Sequence, residues 1–173
     1  LGAVRDFLVR KWGATVLTDA YEVDDRLGIE AADNTVICAI DKDLRQIPGE
    51  HYNPTKDVFE VVDPQAAAIA LYTSMVVGDA ADNLRGIDGL GPVKAGRLLR
   101  ACSAEEAHSV VSGLYQERDQ DFFLAYRLFR LLRSTEEYWE IMNEIAVSQG
   151  EGPEATTDSE GHAIGGVTGV ILQ

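Results

Sequence analysis

Acidic side chains gather at three places along the chain: Glu22, Asp24 and Asp25; Asp41 and Asp43; Asp79 and Asp82. Asp41 and Asp43 are two residues apart and share a side on extended backbone. Glu22 and Asp25 are three apart, as are Asp79 and Asp82, so each pair shares one face of a helical turn. Seven carboxylates converging on one place would repel one another and could not all stay ionised. Divalent cations relieve that repulsion. Hard oxygen donors with no Cys or His in the same clusters favour magnesium or manganese over zinc. Taken singly, such clusters read as solvated caps and turns, and Asp33, Asp57 and Asp63 are read that way. The ordered set of three clusters is what points to a metal site. His51, close to the second cluster in sequence, is read as a structural or solvent-facing residue.

The third cluster runs straight into Gly86-Ile87-Asp88-Gly89-Leu90-Gly91-Pro92-Val93-Lys94-Ala95. Gly86, Gly89 and Gly91 allow a tight turn and close backbone approach. Pro92 then opens a helix whose free N–H groups form a phosphate-binding end. Lys94, Arg97 and Arg100 add positive charge at helical spacing, and Ala95 and Gly96 are small enough for close helix packing. None of these groups reads a base edge, so binding to a sugar-phosphate backbone without sequence preference is expected.

The elements that must hold these groups alternate at first and then become helical. Residues 1–12 place Val4, Phe7, Leu8 and Trp12 on one helical face. Strands are expected at 14–17, 35–40 (as a buried strand) and 58–62, with a loop and one short strand across 47–57. Helices are expected over 22–32, from Pro64 to about Val77, over 92–101, after a Ser103/Glu106 capping box, around 122–132 and over 136–147. After Ser148 the Gly-, Thr- and acid-rich composition reads as a disordered tail. This is an α/β layer followed by a helical subdomain. The 173 residues are 46% hydrophobic and 25% charged, ordinary for a globular chain able to bury a core. Cys38 and Cys102 are too few for a disulfide framework. The net charge of −14 divides into −8 over residues 1–84, +2 over 85–133 and −8 over 134–173, so the hairpin lies in the basic part.

Three segments carry a family resemblance. Tyr21-Glu22-Val23-Asp24-Asp25 resembles a Glu-x-Asp-Asp motif. Ile40-Asp41-Lys42-Asp43-Leu44, continuing through Gln46-Ile47-Pro48-Gly49 to His51-Tyr52-Asn53, is similar to an Asp-Lys-Asp segment. Gly78-Asp79-Ala80-Ala81-Asp82-Asn83 and the hairpin after it resemble a last metal motif and a helix–three-turn–helix element. In order and spacing, across roughly residues 14–101, they resemble the flap endonuclease and 5′→3′ exonuclease family of 5′-nucleases, the phage-type exonucleases above all. The resemblance implies the C-terminal portion of a PIN-like parallel-sheet nuclease domain over residues 1–84 and a helix–three-turn–helix subdomain over 85–147, while the tail over 148–173 resembles nothing in the family. It implies a pair of magnesium or manganese ions held by Glu22, Asp24, Asp25, Asp41, Asp43, Asp79 and Asp82, with Asp41, Asp43, Asp79 and Asp82 closest to the chemistry. It also implies a potassium ion in the hairpin, and duplex contacts by Gly86, Gly89, Gly91, Val93, Lys94 and Arg97.

The expected activity is metal-dependent hydrolysis of DNA with a free 5′ end or flap. The family's first metal-binding aspartates and its helical arch have no counterpart here, and the chain begins with Leu1. A fragment, a partner chain supplying that part, or a remnant is therefore expected, with poor nuclease activity from this chain alone. A non-catalytic duplex-binding module is the alternative. With no signal peptide and no apolar run near the ~18–20 residues of a membrane span, a cytoplasmic setting in a bacterium or phage-infected host is expected.

Overall fold

The computed structural model describes residues 2–19, 21–141 and 167–171. The protein is mixed α/β and divides into two compact units, residues 36–131 and residues 1–35 with 132–173. No helix among the described residues is long and apolar enough to cross a membrane.

In the first-and-last unit, α1 (Gly2–Trp12) leads to β1 (Thr15–Asp19) and α2 (Val23–Glu30), and residues 135–141 are again helical. The helical period of α1 is as expected, yet none of its residues is buried: Val4, Phe7 and Trp12 stand exposed. Tyr21 is buried edge-on against Tyr138, with ring centroids 4.7 Å apart. Gly28 of α2 lies against the Leu132 carbonyl, where a Cβ would collide. β1 pairs antiparallel with β7 (Val167–Ile171). That corrects the expectation of a wholly disordered tail. A Val-Thr-Gly-Val-Ile run has strand propensity even inside a Gly- and acid-rich stretch. The rest of the tail, and the end of the helix expected over 136–147, lie outside the described residues.

The middle unit opens with a three-stranded sheet of order β2-β3-β4, formed by β2 (Val36–Cys38), β3 (Gly49–Asn53) and β4 (Val58–Val62). The sheet is mixed: β2 and β3 are parallel, β3 and β4 antiparallel. The strand expected to be buried over 35–40 shrinks to three residues, of which only Ile37 is buried. β2 is a sheet edge, so it has one neighbour where a buried strand has two. Its crossover to β3 contains a 3₁₀ turn, Asp43–Gln46, whose Leu44 and the following Ile47 are buried. His51 is buried too, its Nε2 donating to the Ile47 carbonyl at 2.7 Å, which settles it as structural.

Helix α3 (Pro64–Val77) organises this unit. Asp63 caps it by accepting from the Ala66 N–H at 2.7 Å, and Pro64 fits the first turn, where no N–H is needed. Its sequence is apolar nearly all round, the pattern of a helix enclosed by others. It packs against the 3₁₀ turn, α4 (Pro92–Leu99), α5 (Ala104–Gln116) and α6 (Phe122–Phe129). Leu71, Tyr72, Met75 and Val76 meet Ile87, Ala95, Leu99, Ala107, Val111, Tyr115, Phe122 and Phe129 in one core. Each large side chain so buried contributes about 1.5–3 kcal/mol. The Ser103/Glu106 capping box forms at the start of α5 as the sequence indicates. Buried Gln46 donates to the Phe129 carbonyl at 2.9 Å and accepts from the Leu131 N–H at 3.3 Å, fastening the end of α6.

The last turn of α3 leaves carbonyls without helical partners. Gly78 N–H reaches Ser74 O, Ile87 N–H reaches Val76 O at 2.8 Å, and the Tyr115 hydroxyl donates to Met75 O at 2.8 Å. Burial pushes the Tyr115 phenol up to about 12. Tyr115→Phe leaves the Met75 carbonyl buried and unpaired, at a cost of about 1–3 kcal/mol. A lower urea midpoint with unchanged slope is expected, measured by far-UV circular dichroism.

Candidate metal centre and hairpin

The second acid cluster does not lie on extended chain, as its spacing had suggested. The backbone turns into the 3₁₀ segment after Lys42, and Asp41 Oδ1 accepts the Asp43 N–H at 2.9 Å. Short acidic side chains make such turns by bonding the backbone two residues on. The position itself follows the rule for open α/β sheets: the cluster sits just beyond the carboxyl end of parallel strand β2.

The third cluster follows α3 at once. Asp79 belongs to the two-residue strand β5 (Gly78–Asp79), which pairs antiparallel with β6 (Leu84–Arg85). The loop between them is a tight turn, with Asn83 at φ 57°, so Asp79 and Asp82 do not share a helical face. Asp79 Oδ1 accepts the Ala81 N–H at 2.8 Å, and Asp82 is exposed in the turn.

These two clusters meet. Asp43 Oδ1 accepts from the Ser74 hydroxyl of α3 at 3.2 Å. Its Oδ2 and the Oδ2 of Asp79 both face the Lys42 ammonium, at 3.9 and 3.6 Å. Each carboxylate thus has its Oδ1 bonded to the protein and its Oδ2 directed at the same cation. Burial pushes the Asp43 carboxyl up; Lys42 and Ser74 pull it down, and Asp41 and Asp79 push it further up. Asp79 is held below the usual range, first by the Ala81 N–H, then by the Asp82 N–H and Lys42. Among the described residues, no three His, Cys, Asp or Glu side chains close into a ready metal cage. The donor chemistry, hard carboxylate oxygens converging on a positive charge, fits magnesium or manganese.

Glu22, Asp24 and Asp25 belong to the other unit. Glu22 is the exposed N-cap of α2 and makes no side-chain capping bond. Asp24 and Asp25 sit in the first turn, where the helix dipole favours acids. Asp25 has a structural task as well: its Oδ1 accepts the Leu132 N–H at 2.9 Å. Burial pushes its carboxyl up, that N–H lowers it, and Glu22 and Glu137 raise it.

The hairpin is tied to the acid loop by two glycines. Gly78 has φ 80°, and a Cβ there would lie 2.5 Å from Gly86 N and 2.8 Å from Leu84 O. A Cβ on Gly86 would strike the backbone of Val77 and Gly78. Gly89, at φ 80°, makes the turn, and its carbonyl accepts the Lys94 ammonium at 2.8 Å. Gly91 caps α4 with ordinary dihedrals and has no side chain to occupy the first-turn N–H groups. Val93, Lys94, Arg97 and Arg100 are exposed along α4 and its end. Ala95 is fully buried, as its small size suggests; Gly96 faces open space, so close packing does not explain it.

Sequence reasoning missed Lys42 and Ser74 as parts of this centre. The Asp-Lys-Asp run puts a cation between two acids, which is a usable signal for Lys42. Nothing local marks Ser74. No family model matches the chain, and no curated protein matches it in sequence.

Gly86→Ala forces backbone apart where the acid loop meets the hairpin and is expected to destabilise the protein by about 1–3 kcal/mol, read by urea denaturation. Asp43→Asn is expected to stabilise the metal-free protein. The folded state raises the Asp43 pKa, so its contribution to stability is present in acid and lost as pH rises through that value. The variant's higher urea midpoint in neutral EDTA buffer should vanish in acid, where Asp43 itself is protonated.

Proposed function

We propose that this chain is a metal-dependent 5′-nuclease, a 5′→3′ exonuclease or flap endonuclease acting on DNA, built on a PIN-like layer and a helix–three-turn–helix element. One observation carries the reading: the Oδ2 atoms of Asp43 and Asp79 face a single cation, on a loop locked directly to a glycine hairpin. An acidic metal-binding protein without nucleic acid would explain the first half of this arrangement and not the second.

Asp41, Asp43, Asp79 and Asp82 are the residues that would hold magnesium or manganese. The assignment of Glu22, Asp24 and Asp25 to the same task rests on the family resemblance. Bound ions of this kind supply an activated water and charge stabilisation at a phosphate. The protein's own part is positional. Ser74 and the Ala81 N–H fix the orientation of the two carboxylates. Gly89 and Gly91, which face open space, permit a duplex backbone to approach, and Lys94, Arg97 and Arg100 supply charge beside it. Because the hairpin and the acid loop share the Gly78–Gly86 contact, a duplex held by the first is placed in register with the second.

The test uses a 5′-labelled DNA flap and a plain duplex. Slow magnesium-dependent release of label is expected, falling a further ~10²–10³-fold in Asp41→Asn. Arg97→Ala should weaken duplex binding equally across sequences and flatten its salt dependence. Cleavage indifferent to metal, or a loss confined to one DNA sequence, overturns the reading. Duplex binding without cleavage favours the non-catalytic module.

A further inference from the structure

We infer that Lys42 is a resident counter-cation: in the metal-free protein its ammonium holds the place between Asp43 and Asp79 that a divalent ion takes, so that metal entry and Lys42 departure are one exchange. The inference rests on the metal-site reading above and concerns how that site is kept and loaded.

Three features point this way. First, the ammonium faces the Oδ2 atoms of both carboxylates, while the Ser74 hydroxyl and the Ala81 N–H bond the Oδ1 atoms. It therefore sits on the Oδ2 side of both carboxylates. Second, the exposures are unequal. The Asp43 and Asp79 side chains are only 28% and 20% exposed, whereas that of Lys42 is 70% exposed. The acids are fixed and sheltered; the cation is loose and already solvated, so it leaves without a desolvation cost. Third, 3.6 and 3.9 Å are the distances of slack ion pairs, well beyond the roughly 2.0–2.1 Å of a magnesium–oxygen bond. Ion pairs of this length with a solvated partner are individually weak. The ammonium is thus strong enough to relieve repulsion between the two acids and weak enough to yield to a doubly charged ion.

The exchange has two measurable consequences. Lys42 lowers the apparent affinity of the site for metal, because each binding event must displace it. It also steadies the metal-free site, because without it Asp43, Asp79 and nearby Asp41 face one another uncompensated.

The experiment titrates manganese into the full chain at low ionic strength, following bound ion by electron paramagnetic resonance, for wild type, Lys42→Met, Lys42→Gln and Lys11→Met. Urea denaturation of each, in EDTA and in saturating manganese, provides a second readout. Both Lys42 variants are expected to bind manganese about tenfold more tightly than wild type, as removal of a neighbouring unit charge predicts. Both should be less stable than wild type in EDTA, with the difference closing in manganese. Lys11→Met should match wild type in every arm. Equal or weaker manganese binding by the Lys42 variants, with saturable binding in wild type that is lost in Asp43→Asn, overturns the exchange and leaves the metal site standing. Absence of saturable binding in wild type and Lys42 variants alike overturns the metal-site reading and the exchange with it.

Discussion

A helix that ends inside a protein must find donors for its last carbonyls, and the end of α3 is where the middle unit is tied together. Val76 receives the Ile87 N–H and Met75 receives the Tyr115 hydroxyl. Ser74, within the same turn, directs its own hydroxyl at Asp43. The 3₁₀ turn, the acid loop, the hairpin and α5 are therefore all fastened to a single turn of helix. Both Met75 and Val76 are fully buried, so water cannot stand in for any of these partners. Removing one of them leaves a bare carbonyl in the core.

The acids at this joint stand in a conflict that the joint itself creates. Burial beside α3 pushes Asp43 toward its neutral form, while the turn N–H groups hold Asp79 charged. Both share the Lys42 ammonium, so the difference comes from how each carboxylate is hydrogen-bonded and how deeply it is set. An arrangement that disfavours a charge and nevertheless places it there gives up stability for the sake of what the charge can hold. Gly78 and Gly86 are the steric counterpart. Each occupies space that a Cβ on the other would need, which brings loop and hairpin closer than side chains would allow.

What could be read in the sequence was local. Asp63 before Pro64, and Ser103 with Glu106, mark helix starts by chemistry contained within four residues, and both caps form. The Gly86–Ala95 stretch announced a turn followed by a helix for the same reason. Periodicity placed α1, but a period says which side chains share a face and not whether anything covers it; Phe7 and Trp12 remain exposed. The β-branched run around Ile37 marked a strand, while its edge position depends on sheet order, which no short window holds. The spacing of Asp41 and Asp43 fits extended backbone, although a short acid can also bend the chain by accepting from the N–H two residues on, and Asp41 does. The meeting of Asp43, Lys42 and Asp79 depends on contacts between distant segments. So does the reach of Tyr115 to Met75, and neither leaves a local mark.

The pairing of β1 with β7 makes the first-and-last unit discontinuous in sequence, with the whole middle unit inserted into it. During synthesis β1 emerges before the middle unit and its partner strand after it, and closing so long a loop is costly in chain entropy. The sheet of the middle unit has no such wait, because its strands meet neighbours close along the chain. Domains fold as units as they emerge. The inserted unit, with its acid loop and hairpin, is thus set to form during translation, while β1 waits for residues 167–171 to pair with it.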